Sequence, residues 1–149
     1  MRAVVQRVKS AKVEVDGNLI GKIDQGILLL LGIKDGDKEE DLSYILRKVT
    51  GLRIFDDENG VMNKSIIDTK SQLLVVSQFT LYGDARKGNR PSYQNAAGFE
   101  DGKYYYKKFI EEAKNKNIYT QEGEYGADMK VTLINDGPVT ILLDSEKTF

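Results

Sequence analysis

Cysteine and histidine are both absent from the 149 residues of this chain. Without cysteine the protein has neither disulfides nor thiolate metal sites, which is compatible with a reducing compartment. Without histidine it lacks the commonest metal ligand and the usual general base at neutral pH. The sequence therefore predicts a protein that works without a metal ion or an organic cofactor.

Long apolar runs and an excess of charge are also missing. The longest apolar run is Ile27–Leu31, whereas a membrane-spanning helix needs about 20 such residues. Met1–Gln6 carries a single charge and does not resemble a signal peptide. The net charge is −1 and the pI is about 5.6, so no overall field attracts nucleic acid. We expect a soluble cytoplasmic protein without a membrane partner, in which any contact with RNA is local.

The apolar pattern predicts one α/β domain over residues 1–149. A helix is expected from a cap at Asp37 to Gly51, and a second over Lys103–Asn115. Tight turns are expected at Asp16-Gly17 and Asn135–Gly137, with an irregular segment at 63–68. Strands are predicted at Val4–Val8, Val13–Val15, Leu19–Ile23, Ile27–Ile33, Leu52–Phe55, Leu73–Phe79, Met129–Leu133 and Val139–Leu143. This order predicts a mixed sheet with two main helices packed on it.

The first candidate site is the end of the sixth predicted strand, where Ser77, Gln78, Phe79 and Thr80 follow a buried run. Strand alternation places Ser77 and Phe79 on one face and Gln78 and Thr80 on the other. Two interpretations remain open. The hydroxyls satisfy their own backbone, or the strand end and the turn after it present N–H groups and a hydroxyl to a ligand.

Asn135-Asp136-Gly137-Pro138 is the second candidate, between the last two predicted strands. A turn with proline starting the next strand explains it. A cis Gly137-Pro138 bond is the sharper alternative, which composition does not decide because cis is rare even before proline.

A short basic loop, with Arg86, Lys87 and Arg90, follows the first candidate site. Solubility alone explains such a loop, but a phosphate-binding role beside a pocket is the functional alternative.

Two stretches, SQFTLYGD at 77–84 and NDGPVT at 135–140, together resemble the signature motifs of the D-aminoacyl-tRNA deacylase family. The start of the chain, Arg90-Pro91-Ser92 and Gly126–Met129 also resemble that family. The likeness extends over the whole chain, and neither motif departs from the family pattern.

The resemblance implies a small α/β fold with an antiparallel-rich sheet, similar to the editing domain of archaeal threonyl-tRNA synthetases. It implies hydrolysis of the ester between a D-amino acid and the 3′-terminal ribose of tRNA, with glycine mischarged on tRNA-Ala as a further substrate. It also implies a homodimer in which Gly137-Pro138, with a cis bond, enters the partner's pocket opposite Ser77–Thr80. There its main chain excludes the side chain of an L-amino acid.

The missing histidine leaves two mechanisms open. Thr80 as a covalent nucleophile requires an adjacent base, and none is near it in sequence. Water attack needs only backbone N–H groups around Phe79 and Thr80 for the oxyanion, with the ribose 2′-OH orienting the water. The alternative to an enzyme is a non-catalytic nucleic-acid-binding homodimer of the same fold.

Overall fold

The computed structural model describes residues 1–149, which form eight strands, three helices and a 3-10 helix. The helices are α1 (Glu39–Gly51), α2 (Ile66–Thr69) and α3 (Phe99–Asn115). The strands are β1 (Arg2–Val15), β2 (Asn18–Ile23), β3 (Gly26–Gly32), β4 (Phe55–Asp56), β5 (Met62–Lys64), β6 (Gln72–Ser77), β7 (Thr120–Glu122) and β8 (Lys130–Asp144).

Six strands form one mixed sheet in the order β2-β1-β3-β6-β7, with β8 on β1. Every pairing that involves β1 is antiparallel, while β3–β6 and β6–β7 are parallel. The remaining strands, β4 and β5, form a separate antiparallel pair. The predicted mixed, antiparallel-rich fold with helices on the sheet is confirmed.

The core lies on both faces of β3, as its continuous apolar run predicts. Ile27, Leu29 and Leu31 pack in the larger cluster beneath α1 and α3, and Leu28 packs in a smaller one on the opposite face. Alternation along a strand produces this division, because successive side chains point to opposite faces. Strand β3 is therefore the central strand on which the neighbouring segments pack.

The prediction of a turn at Asn135–Gly137 is wrong. Strand β8 continues through these residues and pairs with β1 on both sides of them. Val8 pairs with Asn135 and Gln6 pairs with Thr140, so β8 accommodates the extra residues in a bulge. The first two predicted strands are likewise one strand, β1, which is long enough to pair with both halves of β8.

Several element ends also differ from the prediction. The N-cap of α1 is Lys38, whose N–H donates to Asp41 Oδ2 at 2.8 Å. Asp37 instead accepts the N–H of Lys34 at 2.7 Å and the amino group of Met1 at 2.8 Å. The strand expected at 52–55 is Phe55–Asp56, and α3 begins at Phe99. The segment expected to be irregular at 63–68 instead contains the end of β5 and most of α2. No helix combines the length and apolar character needed to cross a membrane.

Candidate active site

A cavity of about 520 Å³ opens at the carboxyl ends of the parallel strands β3 and β6. Such strand ends are where open α/β sheets most often bind ligands. Ten of its fourteen lining residues are hydrophobic, so it suits a largely apolar ligand with a few polar contacts. The lining is Leu31, Ile33, Val76, Ser77, Gln78, Phe79, Ala97, Phe99, Tyr125, Gly126, Ala127, Asp128, Met129 and Val131.

The predicted strand Leu73–Phe79 ends two residues early, at Ser77, and a 3-10 helix spans Phe79–Tyr82. The strict two-face alternation predicted for residues 77–80 is therefore wrong. A 3-10 helix has three residues per turn, so neighbouring side chains do not point to opposite faces. Ser77, Gln78 and Phe79 line the cavity together, whereas Thr80 lies outside the lining.

Gly32 allows the 3-10 helix to lie against the end of β3. A Cβ atom at Gly32 would lie 2.9 Å from the main-chain oxygen of Gln78 and 3.1 Å from Cβ of Leu81. The N–H of Gln78 meanwhile donates to the main-chain oxygen of Leu31 at 2.8 Å. The main chain at the cavity rim is therefore fixed directly to the central strand.

Two main-chain donors at this rim are free for a ligand. The first N–H groups of a 3-10 helix have no intrahelical acceptor. Those of Phe79 and Thr80 also make no hydrogen bond elsewhere in the protein. These two N–H groups belong to a helical turn rather than to a strand end, and their role as oxyanion donors stays a prediction.

The hydroxyl of Thr80 has Gln78 as its side-chain partner, and the Gln78 Nε2 amide donates to Thr80 Oγ1. A hydroxyl nucleophile needs a partner that accepts its proton, whereas this partner donates one. The carboxylate in the cavity lining belongs to Asp128, which is exposed and paired with Lys130 at 2.9 Å. No buried base therefore faces the cavity.

Aromatic residues form much of the wall opposite the strand ends. Phe99 and Tyr125 pack edge to face with centroids 5.3 Å apart. Tyr106, fully buried behind them, donates from its hydroxyl to the main-chain oxygen of Val75 at 2.8 Å and accepts the N–H of Gly123 at 3.1 Å. The position of this wall was not predicted, because residues 99 and 125 meet only through packing of α3 against β6 and β7.

The Gly137-Pro138 bond is cis, as the sharper interpretation predicts. Both residues are exposed, and neither lines the cavity of its own chain. Buried Arg7 supports the bulge: Nε donates to the main-chain oxygen of Asp136 at 3.0 Å and Nη1 to that of Ile54 at 2.6 Å. The sequence offered no reason to single out Arg7, since its partners lie in distant segments.

The basic loop after the 3-10 helix has one cation already paired. Arg86 contacts Asp84 through Nε at 2.9 Å and Nη2 at 2.6 Å. The hydrogen bonds from the Arg86 side chain hold the pKa of the Asp84 carboxyl well below its usual range. Lys87 and Arg90 are exposed and form no ion pair. Phosphate contact by this loop stays a prediction.

Comparison with known proteins agrees with the motifs. The family model described as D-Tyr-tRNA(Tyr) deacylase matches residues 4–144. The D-aminoacyl-tRNA deacylase of Thermosipho africanus is 56% identical over 149 residues, which cover 100% of both chains.

Two solved structures share the fold. The c-Myc DNA unwinding element binding protein superposes with a TM-score of 0.90 and 42% identity, over 97% of this chain and 98% of that one. A protein described as "a probable eukaryotic D-amino acid tRNA deacylase" superposes with a TM-score of 0.82 and 14% identity, over 96% and 98%. Taken with the motifs at 77–84 and 135–140, the sequence matches show that the chain belongs to the D-aminoacyl-tRNA deacylase family.

Proposed function

We propose that this protein hydrolyses the ester bond of D-aminoacyl-tRNA and releases the free D-amino acid and tRNA. The observation that carries this proposal is the apolar cavity beside two free N–H groups, those of Phe79 and Thr80. An aminoacyl ester is an activated bond, so stabilisation of its oxyanion can replace a dedicated catalytic base. Because the substrate is aminoacylated tRNA, we place the activity in the cytoplasm.

The cavity suits the terminal adenosine together with the amino acid it carries. Its volume of about 520 Å³ is within the range of small-ligand sites. Exposed Phe79 and Phe99 flank it, and aromatic side chains stack on nucleobases with little dependence on the base. The ester is then expected near Ser77–Phe79, where the free main-chain donors are.

Water is the proposed nucleophile. It adds to the ester carbonyl, and the N–H groups of Phe79 and Thr80 stabilise the resulting oxyanion. The tetrahedral intermediate collapses, the bond to the ribose 3′-oxygen breaks, and that oxygen receives a proton originating from the water. The ribose 2′-OH orients the water. Thr80 has a supporting role, since its hydroxyl already accepts a hydrogen bond from Gln78.

Chiral selection requires a second copy of the chain in this proposal. Gly137 and Pro138 are exposed and do not line their own cavity, so a partner's cavity is their expected location. Exposed Ile134 and Leu142 lie on the same strand and provide apolar surface for such a homodimer. Main-chain atoms of Gly137-Pro138 would then occupy the space that an L side chain needs. Glycine has no side chain to exclude, so glycyl-tRNA, including tRNA-Ala mischarged with glycine, is a further expected substrate.

The tRNA is held at its acceptor end in this proposal, by Lys87 and Arg90 and by the Nη1 donors of Arg86, which its contact with Asp84 leaves free. The small footprint follows from the net charge of −1. Each phosphate contact makes the apparent affinity fall with salt. Removal of both Lys87 and Arg90 should therefore flatten the dependence of KM on salt, and an unchanged slope would contradict the contact.

The decisive experiment is hydrolysis of D-Tyr-tRNA and L-Tyr-tRNA by purified protein in EDTA, with Thr80→Ala alongside. Cleavage of the D ester alone, with substantial activity left in Thr80→Ala, is the expected result. Loss of all activity in a folded Thr80→Ala protein would instead support Thr80 as the nucleophile. A tRNA ending in 2′-deoxyadenosine tests the 2′-OH: undiminished cleavage of that substrate would remove it from the mechanism.

A nucleic-acid-binding function without catalysis is the second candidate. It is favoured by the 42% identity to a protein described as binding a DNA unwinding element. Binding of uncharged tRNA or DNA, with no hydrolysis of D-Tyr-tRNA or Gly-tRNA, would support it.

A further inference from the structure

A second cavity, of about 370 Å³, lies at the other end of the 3-10 helix. Phe79 at the start of that helix lines the first cavity, and Tyr82 at its end lines the second. The two sites are thus separated by a single short element. Seven of the nine residues around the second cavity are not hydrophobic; the nine are Arg2, Lys34, Tyr82, Gly83, Asp84, Ala85, Arg86, Asn95 and Glu146.

Arg2 is held at this cavity by hydrogen bonds and aromatic contacts while some of its donors remain free. Its guanidinium lies 4.7 Å from the ring centroid of Tyr82 and 5.6 Å from that of Phe149. Nε donates to Asp144 Oδ2 at 3.3 Å and Nη1 to the main-chain oxygen of Leu81 at 3.1 Å. A guanidinium has five N–H donors, so the Nη2 donors are available to a ligand.

The other polar groups suit a ligand that carries both an anion and hydrogen-bonding atoms. The two carboxylates of the lining are already paired, Asp84 with Arg86 and Glu146 with Lys34. The charge of Arg2 is shared with Asp144, so an entering anion binds through the Nη2 donors that this pairing leaves free. Asn95 is exposed, and its side-chain amide forms no hydrogen bond with the protein. Tyr82, which is 4% exposed, has a buried hydroxyl without a partner.

We infer that this second cavity binds the nucleotide that precedes the terminal adenosine of the tRNA. The inference rests on the proposed function, which places that adenosine in the first cavity. A single-stranded 3′ end that leaves the first cavity past the 3-10 helix reaches Arg2 next. The phosphate of the preceding nucleotide pairs with the guanidinium, and its base, which has donors and acceptors on its edge, bonds the amide of Asn95.

Two substrates of increasing length separate this subsite from the first cavity. One is adenosine esterified with D-tyrosine, and the other is the same ester on the dinucleotide cytidylyl-adenosine, which adds one phosphate and one base. We expect kcat/KM of the unmodified protein to be about tenfold higher for the dinucleotide ester, the value of one charge-assisted hydrogen bond.

Arg2→Lys and Asn95→Ala are the test variants. Lysine keeps the charge that Asp144 requires but lacks the planar donor fork, and Asn95 is exposed. Arg2→Lys should lose most of the gain from the added nucleotide and Asn95→Ala part of it, while both still cleave the adenosine ester, which also reports that they are folded. Arg47→Lys, on exposed α1 surface, is the matched control and should keep the full gain.

The comparison of the two esters decides whether the second cavity is a nucleotide subsite. A gain that is mostly lost in Arg2→Lys, reduced in Asn95→Ala and unchanged in the control supports the subsite. An absent gain in the unmodified protein, a gain that survives in both variants, or equal losses on both esters would overturn it. Failure of the proposed function looks different, because then neither D-tyrosyl ester nor D-Tyr-tRNA would be cleaved by any of these proteins.

Discussion

Arg7 near the middle of β1 donates from Nε to the main-chain oxygen of Asp136 at 3.0 Å. One buried guanidinium thereby holds the bulge that carries Gly137-Pro138. A second hydrogen bond, from Nη1 to the main-chain oxygen of Ile54, joins the bulge to the segment before β4. The orientation of the proposed chiral filter therefore depends on a side chain outside both sequence motifs.

Replacement of Arg7 by methionine should weaken both stability and selection. It leaves the carbonyl groups of Ile54 and Asp136 without their donor, which costs about 1–3 kcal/mol for a buried group. We expect a lower free energy of unfolding in urea and a smaller ratio of D-Tyr-tRNA to L-Tyr-tRNA hydrolysis.

Lys9→Met is the matched control, since Lys9 also faces Asp136, at 3.7 Å, but is 61% exposed. An exposed ion pair contributes little, so this variant should behave like the unmodified protein. Equal effects of the two substitutions would show that charge near Asp136, rather than the buried hydrogen bonds, matters.

Gly137→Ala should be destabilising. The φ angle of Gly137 is +124°, in the region that L side chains rarely adopt, and a Cβ there would lie 2.9 Å from Arg7 Nη2. We expect a loss of about 1–3 kcal/mol in the free energy of unfolding, together with a reduced D-over-L ratio.

Gly51→Ala provides the comparison, because a Cβ at Gly51 meets nothing within 4 Å and the residue ends α1. Alanine there should leave the protein as stable or up to about 1 kcal/mol more stable. Similar destabilisation by both substitutions would contradict the special backbone geometry at position 137.

Tyr106→Phe removes the hydroxyl that links α3 to β6 and to the cavity wall. The main-chain groups of Val75 and Gly123 lose their partner, which should cost about 1–3 kcal/mol. Urea unfolding measures the loss, and KM for D-Tyr-tRNA should rise because the cavity wall near Tyr125 is loosened.

Tyr119→Phe is the matched control. This residue is 57% exposed, so the substitution should change stability by less than about 0.5 kcal/mol. If Tyr119→Phe lost as much stability as Tyr106→Phe, the stabilising role given to the Tyr106 hydroxyl would be contradicted.

Acid should weaken the loop that begins at Asp84. The hydrogen bonds from Arg86 lower the pKa of this carboxyl in the folded protein, so its contribution to stability is present above the unfolded value of about 3.9. The contribution is lost as the pH falls through the lower folded-state pKa.

Asp84→Asn should therefore lower the free energy of unfolding slightly at pH 6, and its difference from the unmodified protein should shrink below about pH 4. Urea unfolding across pH 3–7 measures this difference. Asp24→Asn, at an exposed residue without an ion pair, should show no such trend. A difference for Asp84→Asn that grew as the pH fell would have the wrong sign and would contradict the pairing.

The sequence by itself determined the elements whose signals are local. The apolar run at 27–33 predicts a central strand buried on both faces, and Leu42, Ile45 and Val49 predict the buried face of α1. Asp16 and Gly17 predict a tight turn, and both have positive φ. The two motifs also indicated the family, because their residues are contiguous.

Tertiary structure decided what depends on contacts between distant segments. Asn135–Gly137 has the composition of a turn, yet it is a bulge because β1 is long enough to pair with both halves of β8. Phe79 was predicted to lie in a strand, but it begins a 3-10 helix that packs closely against Gly32. Arg7, Tyr106 and Arg2 gain their roles from hydrogen-bond partners that lie between 17 and 142 positions away. Backbone periodicity carries no information about such pairings, since they are selected by burial and hydrogen bonding in the completed fold.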